Sequence, residues 1–103
     1  MRTLLLHPAT DEIELPTVMA ALSDPVRVEI VRSLAVRDEA VCGTLALDVS
    51  KATRSHHLRV LREAGLTRTR VEGTRRHVSL RRDDLDERFP GLLDAILAAA
   101  QRR

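Results

Sequence analysis

The stretch from Ser50 to Leu66, Ser-Lys-Ala-Thr-Arg-Ser-His-His-Leu-Arg-Val-Leu-Arg-Glu-Ala-Gly-Leu, constrains this chain more than any other. Ser50 carries the short hydroxyl that caps a helix start by accepting a bond from an orphan backbone amide. Gly65 has no Cβ to clash, so it can take the left-handed conformation that ends a helix. The interval between them predicts about four turns of helix. Projected at about 100° per residue, His57, Leu58 and Leu61 fall on one side with Arg54 beside them. Ala52, Ser55, His56, Arg59 and Glu63 fall on the other. The first side suits a core. The second is small and polar at its N-terminal end and basic further on, a profile that enters a DNA major groove without obstruction. A solvated surface helix has the same composition, so the neighbouring residues decide.

The charge distribution favours the first reading. From Asp48 to Arg82 there are ten Lys/Arg against three Asp/Glu, a net +7. The remaining residues hold seven against twelve, a net −5, which together give the overall +2. A basic block set against an acidic remainder is the footprint of a phosphate-binding face. With one Phe and no Tyr or Trp, the chain lacks the aromatic platforms on which single-stranded nucleic acids stack. Its 103 residues suit one domain, assigned to residues 1–103. A lone Cys42 rules out an intrachain disulfide and fits a reducing compartment. Leu4 to Leu6 is too short an apolar run for a signal peptide or a membrane span. A cytoplasmic protein is the expectation.

Along the chain, residues 1–14 read as irregular, with Pro8 preventing an early helix. Pro16 suits the opening of a helix carrying Leu15, Val18, Met19 and Leu22. Asp24 caps and Pro25 starts a second helix, running to about Ala35 with Val26, Ile30, Val31 and Leu34 at core spacing. Arg37 to Ala40 reads as a loop, and Val41 to Leu47 as a short third helix turning inward through Leu45 and Ala46. Asp48-Val49-Ser50 then turns into the Ser50–Leu66 helix, which makes a helix-turn-helix. After Gly65 the period becomes alternating. Leu66–Val71 and Thr74–Leu80 flank Glu72-Gly73 as a β-hairpin, with Arg70, Arg75 and Arg76 near its tip. A basic hairpin after a recognition helix is a wing, able to touch phosphates or the minor groove. Asp83 and Asp84 open a further helix, Pro90 interrupts it, and a final helix runs to about Gln101. Its stripe of Phe89, Leu92, Leu93, Ile96, Leu97 and Ala100 is too wide for the remaining chain to cover. A second subunit is the simplest cover, with Val18 and Leu22 of the first helix contributing.

In combination, these features resemble the ArsR-type winged helix-turn-helix repressors of bacteria. The resemblance rests on Ala21-Leu-Ser-Asp-Pro-Val-Arg-Val-Glu-Ile-Val-Arg-Ser-Leu34, on Ser55-His-His-Leu-Arg-Val-Leu-Arg-Glu-Ala-Gly-Leu66, and on Glu72-Gly73-Thr74. It implies a mostly helical α+β fold with a small hairpin, residues 41–82 forming the helix-turn-helix and wing. It places dimerisation at about residues 1–22 and 83–103, and a homodimer on an inverted-repeat operator in double-stranded DNA, released by an effector. The DNA face it implies holds Lys51, Ala52, Thr53, Ser55, His56, Arg59 and Arg62 on the helix and Arg70, Arg75 and Arg76 on the wing. Two departures stand out. Arg54 occupies a position where an apolar residue is common, and the wing lacks the family's frequent Tyr near Val78.

No metal or cofactor is expected. Metal-responsive relatives carry paired cysteines at the third helix or Asp/His ligands on the last, whereas Val41-Cys42 matches part of one pattern only. Soft-metal thiolate sites need at least two or three convergent ligands. His56 and His57 are adjacent on a helix and point in different directions, so they cannot chelate one ion together. An enzyme is not expected either, for there is no Gly-rich phosphate loop, serine elbow or His-Glu pair at helical spacing. Asp83, Asp84, Asp86 and Glu87 read as acids at a helix start. The alternatives are a winged helix used for protein contacts, which the basic block disfavours, and a metal- or redox-sensing repressor acting through Cys42.

Overall fold

Two prolines and two caps set the helical half of the molecule. In the computed structural model, which describes residues 5–45 and 48–101, Pro16 lies in the opening turn of α1 (Leu15–Ala21) and Pro25 in that of α2 (Pro25–Ala35). Asp24 caps α2, its Oδ1 accepting from the N–H of Val26 at 2.8 Å and of Arg27 at 3.3 Å. The Ser50–Leu66 stretch forms the 14-residue α3 (Lys51–Ala64), capped by Ser50 at one end and by left-handed Gly65 at the other. Its inner face buries His57, Leu58, Leu61 and Ala64.

A three-stranded antiparallel sheet follows the order β1-β3-β2, built from β1 (Ala40–Val41), β2 (Thr67–Glu72) and β3 (Arg75–Leu80). The hairpin register pairs Thr67 with Leu80 and Glu72 with Arg75. Glu72 is therefore a strand residue, and the turn consists of Gly73 and Thr74 rather than Glu72 and Gly73. Gly73 sits at φ +61, where a side chain would be strained. The helices α4 (Arg82–Arg88) and α5 (Leu92–Gln101) close the chain around Pro90.

The third helix expected over Val41–Leu47 is not what forms. Ala40 and Val41 pair with Val78 and His77 as a short strand, and Cys42–Thr44 make a single 3-10 turn. Leu45 is extended, and Ala46 lies with Leu47 outside the described residues. The β-branched Val41 and the helix-weakening Gly43 and Thr44 explain the outcome. Ala40, assigned to a loop, gains its place because edge pairing with β3 satisfies its backbone.

One core joins the five helices with β1 and β3. It centres on Ile30, Val31 and Leu34 of α2, Leu58 and Leu61 of α3, Leu66, Val78 of β3, Leu85 of α4 and Leu93 of α5. Val18 is 1% exposed and Leu93 2% in the single chain. Both were expected at a subunit interface; both are instead spent on the chain's own core, because α1 and α5 turn one edge of their apolar stripes inward.

The N-terminal segment does more than its irregular sequence suggests. A 3-10 turn at Thr10–Glu12 precedes Ile13, which is buried against Gly65. Thr10 Oγ1 donates to Asp84 at 2.8 Å, and Arg88 donates to the Ile13 carbonyl from Nε and Nη2 at 3.1 and 2.7 Å. The guanidinium of Arg81, 5% exposed, bonds Asp84 at 2.8 Å and the Pro8 carbonyl at 2.7 Å. His7 Nε2 accepts from the Thr69 N–H at 3.0 Å. Burial, with Arg62, Arg68 and Arg81 nearby, pushes the His7 pKa down, and the neutral ring is the form that can accept.

Two expectations follow. A Cβ on Gly65 would lie 2.6 Å from Ile13 Cγ1, at a φ of +90 that disfavours side chains. Gly65→Ala should therefore lower the urea-unfolding stability by about 1–3 kcal/mol. Hydrogen bonds from Arg81 and Thr10 hold the Asp84 carboxyl below the usual aspartate range, outweighing its burial. Its contribution is present above the ordinary aspartate pKa of about 3.9 and is lost as pH falls through the folded value. Asp84→Asn should be less stable than wild type at pH 7, and the gap should narrow on acidification below about pH 4, measured as urea midpoints across that range.

Candidate nucleic-acid interface

The outward face of α3 comes from the same caps and periodicity that bury its inward face. Lys51, Ala52, Thr53, Ser55, His56, Arg59 and Glu63 are exposed. Ser50 Oγ accepts from the Thr53 N–H at 3.1 Å and donates to Thr53 Oγ1 at 2.9 Å, which fixes the first turn. Arg59 Nη2 donates to His56 Nδ1 at 3.3 Å, joining two residues of that face. On the other side, Arg27 anchors α3 to α2. Its Nη1 donates to His57 Nδ1 at 3.2 Å and its Nε to the Ala21 carbonyl at 2.6 Å. Burial opposes ionisation of Asp24, but the N–H donors of Arg27 and Val26 outweigh it and hold the carboxyl below its ordinary value.

A groove of about 620 Å³ runs between the start of α3 and the hairpin. Lys51, Arg54 and Ser55 line one wall, Thr74, Arg75 and Arg76 the other, and Val41, Cys42 and Gly43 the remainder. No carboxylate is among these residues. Among the described residues, Lys51, Arg54, Arg59, Arg62, Arg75 and Arg76 pair with no acid. Other cations of the basic block do. Arg68 meets Asp84 at 3.4 Å, and Arg82 meets Asp94 at 3.2 Å. Arg70, grouped with the wing's DNA contacts by sequence, bonds Glu39 at 2.9 Å and Glu72 at 3.0 Å. Its hydrogen bonds hold the Glu39 carboxyl below the usual range.

A family description, "Bacterial regulatory protein, arsR family", matches residues 24–69, which run from the cap of α2 into the first half of β2. An uncharacterized HTH-type transcriptional regulator, YceK of Bacillus subtilis, is 40% identical over 82 residues, covering 77% of this chain and 82% of that protein. The arsenical resistance operon repressor of Staphylococcus xylosus is 35% identical, covering 71% of each chain. A cadmium resistance regulatory protein, the CadC homolog of Staphylococcus aureus, is 39% identical over 66% of this chain and 58% of its own length. This chain belongs to the ArsR family. It is a DNA-binding transcriptional regulator with the winged α+β fold, not an enzyme. Among the described residues no helix is long and apolar enough to cross a membrane.

Within this ArsR-family fold, the residues singled out by sequence separate into groups. Lys51, Ala52, Thr53, Ser55, His56 and Arg59 share the open face of α3, and Arg75 and Arg76 face it across the groove. Arg62 does not join them. It is half-buried in the last turn, where a cation favours the helix dipole. Arg54, set beside the core side by helical projection, lines the groove instead. Its spacing of three from Lys51 is the signal that places both on one edge. Cys42 is half-buried, packs against the core and lines the groove. Among the described residues, no three His, Cys, Asp or Glu side chains converge as metal ligands would. On the far side, Leu15 and Met19 of α1 are 43% and 49% exposed. Leu22, Phe89, Leu92, Ile96, Leu97 and Ala100 are half-buried.

Proposed function

We propose that this regulator is a homodimeric repressor that lays α3 in the major groove of an inverted-repeat operator and leaves it when an effector binds. One observation carries the reading: among the described residues the cations of the α3 face and the groove have no acid partner, while Arg68, Arg70, Arg81 and Arg82 of the same basic block are paired. Ala52, Thr53, Ser55, His56 and Arg59 would meet base edges. Lys51, Arg75 and Arg76 would hold phosphates, and Arg62 and Arg70 would lie at the margin. The exposed side of α1 and the half-buried side of α5 supply the apolar surface a two-fold partner would cover. Such a dimer sets two reading helices about 34–36 Å apart, one turn of duplex.

Two of the relatives are named for resistance to arsenicals and cadmium. Transfer of a soft-metal effector to this chain is not supported by its ligands. Cys42 is the single thiol, and a soft-metal site needs two or three convergent donors. We therefore assign Cys42 a structural role and the release signal to another class of effector. A protein-contact role for the winged helix has no feature in its favour beside the uncompensated basic face.

Selection of bound duplexes from a random pool should return a palindromic consensus. On that site Arg59→Ala should cost about 1–3 kcal/mol and relax one base position. Arg75→Ala should weaken specific and random duplexes alike. If both variants bound as wild type does, the DNA face would lie elsewhere. For the dimer, Met19→Glu combined with Ile96→Glu should halve the mass seen by sedimentation. An unchanged mass would reject this interface.

A further inference from the structure

Arg54 sits between the two faces of α3 and belongs to neither. It is half-buried, and its Nε is shielded from solvent with no hydrogen-bond acceptor. A guanidinium is always charged, and a shielded donor without an acceptor is costly to keep. The groove it lines also presents Lys51, Arg75 and Arg76, again with no carboxylate. Four cations that repel one another are thus held on the walls of one concave site. Ser55 and Thr74 add hydroxyl donors, and the N-terminal end of the 14-residue α3 adds positive potential. A site so built fits an anion with several acceptor oxygens.

We propose that Arg54, facing Arg75 and Arg76 with Lys51 beside it, forms a socket for one backbone phosphate of the DNA. This rests on the DNA-binding function proposed above and adds a contact that helical projection sets beside the core. The source of the phosphate is argued from continuity. Ser55 belongs both to the groove wall and to the open face of α3, so a duplex lying on that face runs its backbone past the groove mouth. The planar fork of Arg54 suits two phosphate oxygens. Partial burial limits the freedom left to lose on binding. The contact carries no base information. It sets the depth and register of α3, and so fixes which base edges Arg59 and His56 can reach.

The test uses the full chain on its selected operator and on a random duplex, with affinity measured from 50 to 300 mM salt on the order usual for such titrations. Arg54→Met keeps a flexible apolar stem and removes the charged fork. It should weaken binding to both duplexes and reduce the slope of log K against log salt on each by about 0.9. Operators carrying a single neutral methylphosphonate at successive positions should show one position per half-site that weakens wild type but not Arg54→Met. An unchanged slope and an unchanged methylphosphonate profile in a folded Arg54→Met would overturn the proposal. Arg54→Gln is read in the same way if the Met variant does not fold. Displacement of wild type, but not of the variant, by inorganic pyrophosphate at constant ionic strength, with no methylphosphonate position distinguishing the two, would assign the socket to a free anion and overturn the DNA assignment. If wild type itself bound no duplex, the failure would be that of the DNA-binding function and not of the socket alone.

Discussion

The buried guanidinium of Arg81 is the constraint on which the rest of the molecule depends. A charge withdrawn from water is tolerated only when its partners are complete. Here they come from two directions, the carboxylate of Asp84 and the carbonyl of Pro8. The backbone N–H of the same residue reaches the Leu66 carbonyl at 2.9 Å, which closes the base of the hairpin. One residue therefore ties the N-terminal segment, the root of the wing and the start of α4. Asp84 extends the tie through Thr10 and Arg68. Because the wing is fixed at its root, its Arg75 and Arg76 stand opposite α3 in a defined place.

Acidic residues decide which part of the basic block is available. Of its ten cations, Arg68, Arg70, Arg81 and Arg82 are neutralised by neighbours in the fold. Among the described residues, the six left without an acid partner include the four that line the groove. Apart from the buried Arg81–Asp84 pair, the neutralising contacts are surface ion pairs, which contribute little to stability. Their effect here is on the electrostatic field. They remove positive potential from the outer side of the hairpin and leave it concentrated between helix and wing, where it steers a polyanion.

Much of this architecture was legible from residue patterns. Asp24-Pro25, Ser50 and Gly65 mark helix ends by local chemistry, which does not depend on the rest of the chain. The outward face of α3 followed from periodicity alone. What periodicity could not resolve were outcomes settled by distant partners. Ala40 and Val41 became a strand because β3 offered a free edge. Val18 and Leu93 went inward because neighbouring helices met there. Arg70 lost its place among the free cations to Glu39, thirty-one residues away. Arg54 lies at the border of two faces, where a projection cannot say which way a long side chain leans. The N-terminal segment was the least legible, since most of its tertiary bonds are to residues more than sixty positions away.

That last arrangement bears on the order in which the molecule assembles. The bonds from Thr10 to Asp84, Pro8 to Arg81 and Ile13 to Arg88 span 74, 73 and 75 residues. Contacts of such long sequence separation close large loops and form late. Ile13, which accepts the last of these bonds, lies against Gly65 at the terminus of α3. A chain still emerging from the ribosome can coil α3 and pair its hairpin, but the bonds that Asp84 and Arg88 make to the N-terminal segment wait for α4. A chain that stops before Arg81 therefore lacks every one of these three bonds to the segment that lies against the end of the reading helix.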